Sequence, residues 1–295
     1  MSGIVDAHIH IWRQADLPWL SGPMVPRIFG PYEPLRRDYP IEEYRADIAG
    51  SGIERAVYVQ ANWHPARSLE EVEWVAGEAR RVGFPLAIVA FADLSVEDAT
   101  PALEALARHP EVRGIRQQLH WHANPAWRFA ARSDLPSDPR LIENVRRLSR
   151  FGFLFELQIF SGQIESALTL VRACSEVTFV LVHAGMLEDL SREGETRWRA
   201  ALARLAAEPN VLAKLSGLGT FVRRLDPELV ARIARTALDL FGAGRCLFGS
   251  NFPIEKLWCA YRDLLAAQRS ALGNLAEPDR RAVLADTARR VYRLD

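Results

Sequence analysis

From residue 4 to residue 249 the chain repeats one pattern: a short apolar run rich in strand formers, a polar junction, then a longer stretch with helical spacing of its apolar residues. This alternation specifies parallel strands, because a parallel neighbour is reached only by a crossover long enough to hold a helix. Strands are expected at 4–8, 55–60, 86–91, 113–119, 153–158, 178–183, 211–215 and 245–249, and helices at 70–82, 98–108, 140–151, 163–174, 196–208 and 227–241. Pro139 and Pro227 each follow an aspartate, the arrangement of a first-turn proline behind an N-cap. Eight strands with intervening helices describe an α/β fold, a single-domain (β/α)8 TIM-like barrel over residues 1–295, with one or two closing helices after Tyr261. In such barrels chemistry collects at the carboxyl ends of the strands.

Composition narrows the class of partner. Lys+Arg and Asp+Glu are both 37, so no basic excess points to nucleic acid and no charge block suggests a tail. No apolar run approaches the ~18 residues that span a bilayer, and no export signal precedes the first strand. Cys174, Cys246 and Cys259 are too few and too scattered for a disulfide framework or a zinc knuckle, so a cytoplasmic setting fits best. The expected partner is a small molecule, with neither nucleic acid nor membrane.

Strand alternation puts His8 and His10 on one face of the first strand. Gln60, Arg116, Gln118, Glu156, Gln158, Lys214, Ser216 and Asn251 share the inward parity of their strands, and His183 closes the sixth. His64, His120 and His122 follow strand ends, as do Trp12, Trp19, Trp63, Trp121 and Trp127, candidate pocket walls. Taken singly, a strand histidine is as readily a hydrogen-bonded core residue, and Arg116, Glu156 and Lys214 could form an ion network inside the barrel. Their convergence on one rim favours a site, because buried charge is costly and barrels concentrate it where chemistry needs it.

Asp6-Ala7-His8-Ile9-His10, Gly114-Ile115-Arg116, Leu157-Gln158, Val182-His183-Ala184-Gly185, Lys214-Leu215-Ser216-Gly217 and Phe248-Gly249-Ser250-Asn251-Phe252-Pro253 occur in order along the chain. This set resembles the amidohydrolase superfamily over essentially the whole length. More narrowly it is similar to the lactonase branch, which includes sugar-acid lactonases and 2-pyrone-4,6-dicarboxylate lactonase. The resemblance implies a hydrolase in which water attacks the carbonyl of a small sugar-acid or dicarboxylate lactone. His8, His10, His183, Glu156 and Asn251 are then the catalytic candidates, and Gln60, Arg116, Gln118, Gln158, Lys214 and Ser216 the substrate-binding ones.

One departure matters. Better-known members carry an aspartate on strand 8 where this chain has Asn251, and an amide has neither useful basicity nor a carboxylate's metal affinity. The general base is thereby unassigned, with Glu156 and His183 the titratable candidates and His8 or His10 available where no metal holds them. His8, His10 and His183 would supply three nitrogens to one divalent metal, zinc before others, while a metal-independent site stays equally open. A metal-dependent decarboxylase of an unsaturated or aromatic acid, and a noncatalytic small-molecule binding barrel, are the alternative readings.

Overall fold

Eight parallel strands follow one another around a single sheet in chain order: β1 (Ile4–Ile9), β2 (Ile53–Val59), β3 (Leu86–Ala90), β4 (Val112–Ile115), β5 (Leu154–Leu157), β6 (Phe179–Leu181), β7 (Val211–Leu215) and β8 (Cys246–Phe248). A computed structural model describes residues 3–294. Each strand is followed by a helix: α1 (Ile41–Asp47), α2 (Ser68–Val82), α3 (Thr100–Ala107), α4 (Pro139–Arg147), α5 (Ile164–Ala173), α6 (Arg192–Ala206), α7 (Pro227–Phe241) and α8 (Tyr261–Ala271). The (β/α)8 expectation therefore holds. Asp138 and Asp226 accept backbone N–H groups at the starts of α4 and α7, with proline in the first turn of each. The short α1 lies outside the helices expected from the sequence.

Closure of the barrel is made by polar side chains as much as by backbone. Asn251 N donates to His8 O and His10 N to Phe252 O, both at 2.8 Å, beyond the last residue of β8. The buried Asp6 carboxylate accepts from Ser250 N at 2.7 Å and His8 N at 3.2 Å on one oxygen, and from the hydroxyls of Tyr261 (2.8 Å) and Tyr44 (3.2 Å) on the other. Asp6 thus ties β1 to the β8 loop and to α1 and α8.

Two apolar layers result. Outward residues such as Ile9, Ala56, Tyr58, Ile88 and Phe155 pack against the helices, while Val5, Ala7, Val57, Val59, Val89, Leu154, Val180, Leu212 and Leu247 fill the barrel interior. The chain after α8 runs through Glu277–Tyr292 and packs Ala285, Ala288 and Tyr292 against that interior layer, covering the amino end of the barrel. Among the described residues no helix is long and apolar enough to cross a membrane.

The strand carrying the histidines is irregular. Asp6 pairs with Ala56 but Ile9 with Tyr58, so three residues on β1 match two on β2. Val5 and Ala7 face the interior below this bulge, whereas Ile9 and Ile11 face the helices above it. The bulge switches parity and turns His8 and His10 into the barrel.

Candidate active site

Three imidazoles meet at the carboxyl mouth. The His8 ring centroid lies 5.1 Å from His10 and 4.9 Å from His183. His10 Nδ1 is 2.7 Å from Val59 O; a carbonyl can only accept, so Nδ1 carries the proton and Nε2 a lone pair. His183 Nδ1 meets the Ser216 hydroxyl at 2.8 Å. Both nitrogens of His8 are buried without a partner. Residues 183–186 all have left-handed backbone, with φ of 55°, 48°, 71° and 51°, which lifts the His183 ring off the end of β6. Gly217, at φ 61°, makes room for it: a Cβ there would lie 2.6 Å from His183 Nδ1. Burial, aided by the charges of Lys214 and Arg116, pushes the protonation of His8 and His183 well down and that of His10 to about 3. The imidazoles are therefore neutral near pH 7 and weakly basic.

The cavity above them has an empty volume of about 770 Å³ continuous with solvent, and is lined by residues that include His10, Arg116, Gln118, His120, Gln158, His183, Thr220 and Asn251. Trp12, Trp19 and Phe29 from the loop after β1 and Phe129 from the loop after β4 form its aromatic walls. Arg27, Arg116 and Arg128 line it and, among the described residues, no aspartate or glutamate does. Arg116 is buried, donates to Gln60 O at 2.5 Å, leaves Nε unpartnered and pairs with no carboxylate among the described residues. Burial lowers its pKa to about 10, partly offset by the charges of Glu156 and Glu71, so it stays a cation.

Several site residues expected from the sequence lie elsewhere. Glu156 and Lys214 face inward as expected, but one layer lower: they form a fully buried ion pair at 2.5 Å, and the Tyr292 hydroxyl donates to the same Glu156 oxygen at 2.7 Å. They are not on the cavity wall. Burial pushes the Lys214 pKa down, against the opposing pull of Glu156. Ser216 sits behind His183, and His8 behind His10 and His183. Gln60 follows the inward Val59 and so leaves the interior row; it lines an adjoining pocket with Trp63 and Asp93. His64 caps the turn after β2, and His122 packs against Trp127 with ring centroids 4.8 Å apart and the rings tilted by 46°. Trp12 and Trp19 line the cavity, while Trp63 packs on Trp74.

Arg27, Arg128, Thr220 and Glu255, all from strand-end loops, carry no periodicity or motif in the sequence that marks them. Thr220 lines the cavity and donates to the buried Glu255 carboxylate at 3.4 Å. The only trace of Glu255 in the sequence is its place four residues after Asn251.

Comparison with known proteins bears on the family and the fold. The amidohydrolase family matches residues 5–294. An uncharacterized protein, y4mH, of Sinorhizobium fredii is 32% identical over 293 residues, 99% of this chain and 98% of that protein. An L-fucono-1,5-lactonase of Burkholderia ambifaria is 29% identical over 297 residues, covering 99% of this chain and 96% of the lactonase. Among solved structures, an amidohydrolase from Burkholderia multivorans with bound Zn superposes with a TM-score of 0.83 at 26% identity, over 99% of both chains. The chain belongs to the amidohydrolase family, to whose lactonase branch its strand-end motifs point, and is a hydrolase.

Proposed function

We propose that the protein opens the ring of a small lactone bearing a carboxylate, by attack of water on the ring carbonyl. The observation that carries this reading is Arg116, a buried cation facing His10 and His183 across a cavity lined by two further arginines and no acid. An unpaired buried guanidinium is costly unless a ligand supplies the anion, and its planar fork suits a carboxylate. The lactonase relative supports a ring ester as the group attacked.

In this reading Arg116, with Arg27 and Arg128 nearer the mouth, holds the substrate carboxylate, and the aromatic walls flank the ring. Developing charge on the carbonyl oxygen is stabilised by the Arg116 field and by His183, whose cavity-side nitrogen can carry a proton when Nδ1 accepts from Ser216. His10 Nε2, bare of a proton, accepts.

The donors suit a divalent cation in type: three neutral imidazoles, with both nitrogens of His8 unpartnered. Asn251 stands in for the carboxylate that would complete the set, and among the described residues no three His, Cys, Asp or Glu side chains are arranged as ligands around one point. To hold such an ion His8, His10 and His183 would have to turn onto one point, and the ion, when bound, would supply Lewis-acid polarisation of the carbonyl.

The test is a screen of neutral and carboxylate-bearing lactones with a pH-indicator readout, on the parent and on Arg116→Met. Loss of a charge-assisted contact should raise KM for the acidic lactones about 10- to 100-fold and leave neutral ones nearly unchanged. A parent that turns over neutral lactones only, or none, overturns the reading.

A further inference from the structure

Glu255 is a buried carboxyl group that pairs with no cation among the described residues. It stands in the turn Ile254–Leu257 after β8 and is 1% exposed. Its oxygens accept from the Trp258 indole at 2.8 Å and the Thr220 hydroxyl at 3.4 Å, with the Asn251 amide and the Gly219 N–H also against it. Thr220 and Asn251 both line the cavity, so one carboxylate backs two wall residues that come from different strands. The charged groups nearby are engaged elsewhere: Lys256 with Glu43 and Asp47, and Arg224 with Asp226. The other titratable neighbours are the Cys259 thiol, pushed up to about 12, and, beyond Asn251, His10 at about 3. Burial lifts Glu255 to about 7, against the hydrogen bonds from Trp258, Asn251 and Thr220. The imidazoles of the site are far weaker bases, and Asn251 is not one.

We propose that Glu255 is the carboxylate that serves the attacking water, acting from behind the cavity wall through the Thr220 hydroxyl and fixing the Asn251 amide beside it. A carboxylate four residues further along the chain does what one at position 251 would do. The step rests on the lactone reading. Water passes a proton to Thr220 Oγ while Thr220 passes its own to Glu255. The water oxygen bonds to the ring carbonyl carbon, and the carbonyl π pair moves onto oxygen. On collapse the ring C–O bond breaks, and the proton returns through the same hydroxyl to the leaving alkoxide. An amide at 251 also spares Glu255 a second carboxylate, whose charge would hold one of the pair protonated.

The experiment measures kcat/KM from pH 5 to 9 for the parent, Glu255→Gln, Glu255→Asp and Thr220→Val, together with carbon NMR of protein labelled at the glutamate carboxyl. The parent rate should rise through pH 7. Glu255→Gln and Thr220→Val should each lose about a hundredfold and the acid limb with it, and Glu255→Asp should regain part of both. One carboxyl resonance titrating near pH 7 should be present in the parent, displaced in Thr220→Val and absent from Glu255→Gln; Glu71, also near 7, provides a second resonance that stays in all three. Parental rates and an unchanged acid limb in Glu255→Gln and Thr220→Val overturn the proposal. Should Glu255→Gln fail to fold, Thr220→Val and Glu255→Asp decide it, because both keep the carboxylate. If the parent hydrolyses no lactone, the functional reading falls and the NMR decides Glu255: a midpoint in the ordinary carboxyl range overturns its assignment, and one near 7 that moves in Thr220→Val supports it.

Discussion

Replacing Lys214 by methionine should cost stability, although Lys214 lies directly beneath the histidines. Lys214 and Glu156 have no exposed side-chain surface, so the substitution leaves a carboxylate in the barrel interior with no countercharge. Tyr292 still donates to one oxygen, and the other oxygen has no partner. Stranding one member of a buried pair costs about 3–5 kcal/mol, and the surviving Tyr292 bond places the expectation near the lower end, about 3 kcal/mol. At a urea m-value of about 3 kcal/mol/M this moves the unfolding midpoint by about 1 M. The double variant Glu156→Gln/Lys214→Met buries no charge and should return to within about 1–2 kcal/mol of the parent, a coupling well outside the error of a double-mutant cycle. Urea titrations at pH 7 followed by far-ultraviolet circular dichroism read the parent, the single variants Glu156→Gln and Lys214→Met, and the double variant. A Lys214→Met protein that unfolds at the parental midpoint, with turnover abolished, would refute the argument and return the pair to the chemistry.

Gly217→Ala should lower turnover and stability together, since its Cβ would press on His183 Nδ1 at 2.6 Å and its φ of 61° disfavours a side chain; the cost is about 1–2 kcal/mol or more, read by thermal melts beside kinetics. His183→Ala should reduce kcat about a hundredfold while the melting temperature holds, and a collapsed melt with activity kept per folded molecule would mark a packing residue instead. Burial raises Glu71 from 4.5 to about 7, so its contribution is full below pH 4.5 and is lost as pH rises to about 7. Relative to Glu71→Gln, the parent should therefore lose up to about 3 kcal/mol across that window, from 2.5 pH units at 1.36 kcal/mol each. Urea midpoints of both proteins at pH 4.5, 6 and 8 check the sign, and a difference that does not change with pH would contradict it.

The barrel was legible in the sequence because its determinants are local. Each strand is a short apolar run, each crossover carries helical spacing, and Asp138-Pro139 and Asp226-Pro227 announce helix starts by chemistry that acts over three or four residues. The histidine cluster was legible for the same reason: two residues two apart share a face wherever the strand lies. Which face they share was decided only by the bulge in β1, which exists through pairing with a strand some fifty residues away. Parity gives a direction but no height. Glu156, Gln158 and Arg116 all point inward, yet strand tilt and the C-terminal Tyr292 place Glu156 in the buried layer while Gln158 and Arg116 reach the cavity. Arg27, Arg128, Thr220 and Glu255 sit in loops without periodicity, and what they touch depends on how separate loops close over one mouth. The chain alone thus determined the frame and the residue types that could do chemistry. Tertiary structure decided which of them are neutral, which are paired away from the cavity, and which face it.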